Sequence, residues 1–450
     1  MTAQQAPDNS SDFAAATDKN ISEDIYRTIT LRIVPFLFLA YVLCNIDRMN
    51  VGFAALDFEK DLGFGPAVYG LGASLFFIGY SLFELPSNLL LERIGARKTF
   101  MRIMILWGLA SAAHAFVKTS EQFYLVRVAL GAAEAGFLPG AIYYLSQWFP
   151  SNRRARIQSL FYIGMPVAGV IGSPISGLIM HSFGDSTLLK GWQWMFILEA
   201  IPTIVLGLYA FAALPDNPQA ARWLSVKQRQ IVVADLLEDK KTLRRGAKKS
   251  SLRAAIKEPI VWVTAFTYFC LLCTSSALTF WMPSVIRSFG FSDPLRIGAL
   301  SAAPALAMLV NMIFLSRHSD RRGERRWHLS VSLLLGGVCL VGLGIFREDV
   351  FLSMALLTMA SGFIAGSYPV FWSIPSTLLS QDVRAAGLGL AGGIGSVGGL
   401  LGSSVFGLAR AHFGSFDVGL YFIAAVISIG ALATLLLVPR ENNTCNDALG

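Results

Sequence analysis

The sequence predicts an all-α polytopic membrane protein of 12 transmembrane helices, arranged as two pseudo-symmetric six-helix bundles. Three observations carry this. Apolar runs of roughly twenty residues recur along the chain, the length a helix needs to cross about 30 Å of hydrocarbon. Only 15% of the 450 residues are charged and 54% are hydrophobic, whereas soluble domains carry about 25% charge. One short charged loop is also written twice, "LERIGARKTF" from Leu91 and "SDRRGERRWH" from Ser319, each time between two apolar runs. The shorter segments of alternating polarity that build a β-barrel are absent.

From the N-terminus, residues 1–29 are polar and rich in Ala, Ser, Asp and Gln. They lack the basic-then-apolar layout of a cleaved signal peptide and read as a disordered cytoplasmic tail. Apolar windows then place spans at about 30–52, 67–90, 101–117, 123–147, 158–180 and 193–213. A second set falls at about 259–282, 296–315, 329–346, 351–376, 386–411 and 418–438. The N-terminal bundle therefore covers 30–213 and the C-terminal bundle 259–438. Between them lies a hydrophilic linker, 214–258, containing "EDKKTLRRGAKKS", and a short tail over 439–450 follows.

Charge sets the orientation. The loops after spans two, four and eight hold Arg93, Arg97, Lys98 and Arg102; Arg153, Arg154 and Arg156; and Arg317, Arg321, Arg322, Arg325 and Arg326. Basic loops stay on the cytoplasmic side, so both termini are expected there. The net charge of +8 is explained by these loops. Lipid, and not nucleic acid, is the expected macroscopic partner.

The two halves repeat. Glu92 and Asp320 lie 228 residues apart, and each follows the second span of its half. At an offset of 230, "AGFLP" (Ala135 to Pro139) aligns with "AGSYP" (Ala365 to Pro369), and Gly169, Gly172 and Gly177 align with Gly399, Gly402 and Gly407. Parallel repeats flanking a midplane cavity are the layout of a rocking transporter. Cys270 and Cys273 form a C-x-x-C inside a span with no second ligand pair, which reads as packing. The five histidines are scattered, so neither a metal nor another cofactor is expected.

These residues carry a resemblance. The duplicated loop resembles the signature of the major facilitator superfamily, whose usual Gly-x-x-x-Asp start is replaced by Asn88 and Glu92 in the first half. With "NIDRMNVGFA", "ELPSNLLLERIGARK", "GAAEAGFLPGAIYYLSQWFPSNRRAR" and "FWSIPSTLLS", the chain is similar to the anion:cation symporter family within it, from about Ile29 to Pro439. The resemblance implies the major facilitator fold in a multi-pass protein of the bacterial inner membrane, working as a monomer. It also implies protons carried by acidic residues on spans one and four, with neighbouring arginines governing substrate.

The charges inside the spans fit that expectation. An ionised group at bilayer depth costs at least about 2.5–3.5 kcal/mol, so it faces a cavity or a partner. Asp47 and Arg48 lie about 24–26 Å up span one, and Arg127 about 8 Å down span four, at similar depth. Pairing of Asp47 with Arg127, or of Arg48 with an acid across the cavity, is expected. Glu134, two turns beyond Arg127, is expected alone and deeper. Glu84 and Glu199 are placed nearer the cytoplasmic ends of spans two and six. At the repeat offset Arg127 and Glu134 become Leu357 and Ile364, so the charges are confined to one half.

The reading that follows is proton-coupled uptake of a small organic carboxylate by alternating access. Asp47 and Glu134 would take protons, and Arg48 and Arg127 would attract the anion. Tyr143, Tyr162, Tyr268, Ser373, Ser376 and Ser396 are candidate neutral contacts, though helix packing explains each of them as well. Two gating loops, Glu92, Arg93, Gly95 and Arg97 with Asp320, Arg321, Gly323 and Arg325, would hold the inward side shut. Family members often carry asparagines along span eleven, where this chain has "AGGIGSVGG" (Ala391 to Gly399). That departure favours an aromatic carboxylate or a short dicarboxylate over a sugar acid. The alternatives are an anion exchanger without net proton flow and a non-transporting receptor on the same fold. The chain carries no H-E-x-x-H, G-x-S-x-G or Walker sequence, which argues against an enzyme or a primary pump.

Overall fold

A computed structural model describes residues 9–246 and 252–439. Among them, 12 helices are long and apolar enough to cross a membrane: Ser22–Leu62, Pro66–Ile94, Ala96–Phe116, Ser120–Ser146, Leu160–Ser182 and Gly191–Ala213, then Pro259–Ser288, Pro294–Arg322, Arg326–Ile345, Val350–Leu378, Val383–Phe413 and Asp417–Leu437. They are called spans one to twelve below. The protein is an integral multi-pass membrane protein.

Packing within each half follows one plan. Span one lies on five, two on four and three on six; in the second half seven lies on eleven, eight on ten and nine on twelve. The pairings are the same after a shift of six spans, so the duplication seen in the sequence is a duplication of structure. Spans four and ten are each interrupted at the aligned motifs. Span four breaks after Glu134, where Gly136 takes φ +86, and span ten breaks at Gly366. Discontinuous helices of this kind line the binding sites of membrane transporters.

The first helix runs further toward the N-terminus than the expected boundary at residue 29. Asn9–Leu62 is a single helix, and Ile25, Tyr26, Ile29 and Ile33 are buried. The polar composition of this stretch hides an apolar i, i+4, i+8 stripe that gives it a packing face. The linker is also ordered where described, with helices Val226–Gly246 and Leu252–Lys257. The first of these docks on the N-terminal half, where Tyr26 Oη donates to Asp235 at 2.9 Å and Arg154 meets Asp239 at 3.6 Å, and just before it Trp223 stacks on Trp148. Residues 1–8, 247–251 and 440–450, with Cys445, lie outside the described residues.

The halves meet along spans five and eight, two and eleven, and one and seven. At the end away from the linker the first two crossings are backbone-close. A Cβ on Gly70 would lie 2.8 Å from Ser403 O and 3.0 Å from Gly407 Cα; one on Gly298 would lie 2.4 Å from Ser173 O and 3.1 Å from Gly177 Cα. Gly70 and Gly298 differ by 228 positions, and Gly407 and Gly177 by 230, so the two crossings are copies of each other. His181 to Asp293 at 2.9 Å, Tyr69 Oη to Phe280 O at 2.5 Å and the Arg287 bond to Leu56 O complete this distal closure. His181 is among the groups that hold the Asp293 carboxyl below the usual carboxylate range. Burial acts against this shift, and the Leu295 backbone N–H supports it.

A third close crossing, between spans two and four, is internal to the first half. A Cβ on Gly131 would sit 2.1 Å from Phe76 O and 2.9 Å from Tyr80 N, both of them backbone. Gly131→Leu is expected to destabilise the protein by about 1–3 kcal/mol, the usual cost of overpacking. A lower melting midpoint by intrinsic fluorescence checks this, and an unchanged midpoint would show that the crossing tolerates bulk.

Candidate functional site

A cavity of about 920 Å³ lies between the halves. Around it Gly389, Gly392 and Gly393 of span eleven have no neighbour that an added Cβ would meet. Glu84, Asn88 and Leu388 line it toward the linker end of spans two and eleven. With the distal crossings closed, the cavity opens at the linker end.

Span one supplies its charged centre. Tyr41, Cys44, Asn45, Arg48 and Met49 all face the cavity, the i, i+3, i+4, i+7, i+8 stripe of one helix face. Arg48 forms an ion pair with Oε1 of Glu134, the residue that ends the first half of span four. The Cys44 thiol donates to the same oxygen at 3.0 Å, while Oε2 is buried without a partner. The Arg48 guanidinium lies over the Phe76 and Tyr80 rings, 4.8 and 5.7 Å from their centroids.

Arg48 thus pairs with Glu134 of its own half and not with an acid across the cavity, and the expected isolation of Glu134 is not found. Asp47 and Arg127 do not meet. Consecutive helical residues point about 100° apart, so with Arg48 facing the cavity Asp47 faces the interior of its own half. There its carboxylate accepts from Ser111 Oγ at 2.7 Å, Thr203 Oγ1 at 2.8 Å and Trp107 Nε1 at 3.0 Å. Arg127 is fully buried behind the cavity wall. Its Nη2 donates to Ala73 O at 3.0 Å, and its guanidinium sits between the Phe76 and Phe280 rings, 5.3 Å from each. Its Nε and Nη1 have no partner. Phe76 is therefore a ring that both arginines share.

Among the neutral candidates, Tyr162, Tyr268 and Ser396 line the cavity, and Tyr143, Ser373 and Ser376 do not. Ser373 and Ser376 bond back to carbonyls of their own helix, the usual resting place of a hydroxyl in an apolar span. Tyr143 is exposed but not part of the cavity wall. Tyr268 occupies room left by Gly395, stacks on Phe371 at 5.3 Å and meets Trp372 edge-on at 4.7 Å. Tyr41, Tyr80 and Trp372, not among the expected residues, are part of the wall. Stepping back along span one from Arg48 by four and seven residues would have found Tyr41 and Cys44.

Glu199 lies eight residues into Gly191–Ala213. Span six runs from the distal end toward the linker, so Glu199 belongs to the distal half and not to the linker end as its expected place had it. Glu84 does lie toward the linker end and lines the cavity. In the duplicated loops Gly95 and Gly323 take φ +82 and +61, which accounts for a glycine in each copy. Arg97 is held within its own half by Asp216, at 2.9 Å from its backbone N–H, and by Phe211 O. Among the described residues, neither Glu92, Arg93, Asp320 nor Arg321 forms an ion pair. Arg325 lies in the second loop with part of its side chain covered. The sequence expectation joins these loops across a shut gate, whereas here that end is open.

The sequence profile of the Major Facilitator Superfamily matches residues 37–403 and 293–447. The chain is 43% identical to "Putative metabolite transport protein NicT" of Pseudomonas putida, over 93% of this chain and 95% of that protein. It is 42% identical to a "Putative tartrate transporter" of Agrobacterium vitis, over 92% and 91%. In structure it resembles the xylose transporter XylE of E. coli in a partially occluded inward open conformation. That match has a TM-score of 0.73 at 14% identity and covers 91% of this chain and 98% of that one.

Proposed function

The chain belongs to the Major Facilitator Superfamily and is a transporter, and on that premise we propose that it carries a small organic carboxylate together with protons. The observation that supports this most directly is the Arg48–Glu134 pair on the cavity wall. A buried carboxylate that loses its cation is driven to take a proton. A substrate carboxylate that draws Arg48 away from Glu134 would therefore load a proton as it binds. Arginine suits this exchange, since its planar fork matches either carboxylate.

The wall argues for the kind of anion. Tyr41, Phe76, Tyr80, Tyr268 and Trp372 face the same space as Arg48. Ring faces and one guanidinium fit a flat carboxylate with an apolar body, aromatic in the first instance. The Asp47 and Arg127 roles are proposed in a modified form. Both lie behind the wall, so each acts on the site through span one or Phe76 unless the halves rock. With the basic loops in the cytoplasm of a bacterium, the cavity faces inward. The cavity is formed within one chain, which suits a monomer.

Proteoliposomes given an inward proton gradient test this. Benzoate is expected to accumulate more readily than tartrate, and Arg48→Gln to weaken half-saturation about ten- to a hundredfold, from the about 1.5–3 kcal/mol of a charge-assisted bond. Exchange of anion with no response to the gradient would replace symport by antiport, and binding without flux would make the protein a receptor.

A further inference from the structure

We propose that Glu199 is a second proton-binding group, outside the cavity, that holds a proton as a neutral carboxylic acid in this conformation and is loaded from the distal end. Glu199 Oε1 accepts from Ser176 Oγ at 2.6 Å, and Oε2 is buried with no partner. The Asn50 side chain faces this carboxyl, is 1% exposed, and has neither its Nδ2 nor its Oδ1 bonded. An O–H on Glu199 Oε2 would give Asn50 Oδ1 a donor, satisfying two orphaned buried atoms with one proton. A carboxylate there could accept from Asn50 Nδ2 instead, so the deciding observation is that no cation balances it, and a buried carboxylate without one is driven to its neutral form.

The neighbours supply no alternative charge balance. Span one contributes Asp47, which is bonded by Thr203, one turn along span six from Glu199. Its two oxygens are filled by three neutral donors, the pattern of an ionised acceptor. Span three contributes Trp107 and Ser111, already committed to Asp47. Near the end of span three, His114 stacks on Phe196, one turn from Glu199, at 4.8 Å. Its Nδ1 lies 2.9 Å from Ala110 O and must carry its hydrogen, and its Nε2 has no partner. Span five contributes Ser176. Among the described residues no lysine or arginine bonds to either acid. Two neighbouring buried carboxylates without a cation keep at least one proton between them.

The position explains where that proton comes from. Ser176 adjoins Gly177, half of the span five to span eight crossing that closes the distal end, and Ser173, one turn away, lines the cavity. When the crossing parts, a water-borne proton can reach the Glu199 carboxylate and form the O–H bond, and the resealed crossing traps it. This goes beyond the Arg48–Glu134 reading and rests on it only for the sense of proton movement.

Infrared difference spectra of the purified full-length protein across neutral pH test it without any transport measurement. A protonated-carboxyl C=O band is expected in the wild type, absent in Glu199→Gln and retained in Asp47→Asn. Asn50→Leu keeps Glu199 and removes its acceptor, and is expected to move the same band to higher frequency. A band untouched by Glu199→Gln and Asn50→Leu would overturn the proposal. So would a wild-type band that disappears on adding sodium, which would make the group a metal-cation ligand. If the spectra hold and proteoliposomes show no proton-driven uptake, the coupling reading of the cavity fails alone.

Discussion

Glu134→Gln is expected to abolish uphill accumulation while leaving exchange of labelled substrate across the membrane intact. Glutamine keeps the shape and one carbonyl acceptor for the Cys44 thiol, but it cannot take or release a proton. Arg48 then stays free for the substrate in every state, so the anion no longer has to displace an internal carboxylate. Removing one member of a buried pair costs about 3–5 kcal/mol, because the other charge is left uncompensated. Arg48 escapes part of that cost, since its side chain is 27% exposed to the cavity and can be met by water or by substrate. Affinity is therefore expected to hold or rise as coupling is lost. Proteoliposome uptake with and without a proton gradient measures one arm, and counterflow at equal pH measures the other. A variant that still concentrates substrate, with the same pH dependence as the wild type, would remove Glu134 from the coupling.

Much of the architecture was legible in the sequence because it rests on properties that add up over many residues. Apolar runs place all twelve helices, although both ends of span one and the far ends of spans seven and eight run well beyond the expected limits, and the 228 and 230 offsets recur as equivalent packing pairs. The candidate site was legible one residue at a time and only in part. Arg48 and Glu134 stand out as charges at lipid depth and meet in the cavity. Asp47 stands out equally and lies elsewhere, since a single step along a helix changes the face and depth alone does not fix it. Ser373 and Ser376 miss the cavity because a hydroxyl can satisfy itself on its own helix, and Tyr143 because its side of the helix is not part of the wall. Trp372 and Tyr80 were missed because aromatic residues are common in every span, and only convergence in space separates wall from core. The early start of the first helix shows the limit of composition, where a stripe of four buried residues outweighs a polar average.

The glycine crossings yield the last large effect. Gly70→Trp with Gly298→Trp is expected to open the distal end and stop transport while substrate still binds. The atoms an added Cβ would strike at these positions are mostly backbone: Ser403 O and Gly407 Cα for Gly70, Ser173 O and Gly177 for Gly298. The one side chain among these near neighbours is the buried Trp281 ring beside Gly70, and a Trp ring needs far more room than a Cβ. Both positions lie where the halves meet, so relief comes from separating the halves and not from unfolding either one. Overpacking typically costs about 1–3 kcal/mol and occasionally more, whereas moving a two-state equilibrium from 1:99 to 99:1 takes about 5.5 kcal/mol. One substitution is then expected to give a mixture, and the symmetric pair to give nearly complete conversion. Spin labels at Ser182 and Ser292, beside the His181 to Asp293 contact, are expected to move apart progressively from wild type to single to double variant. Distances that stay at the wild-type value, with transport lost, would mean that the tryptophans damage the fold and that these crossings are fixed packing instead of a gate.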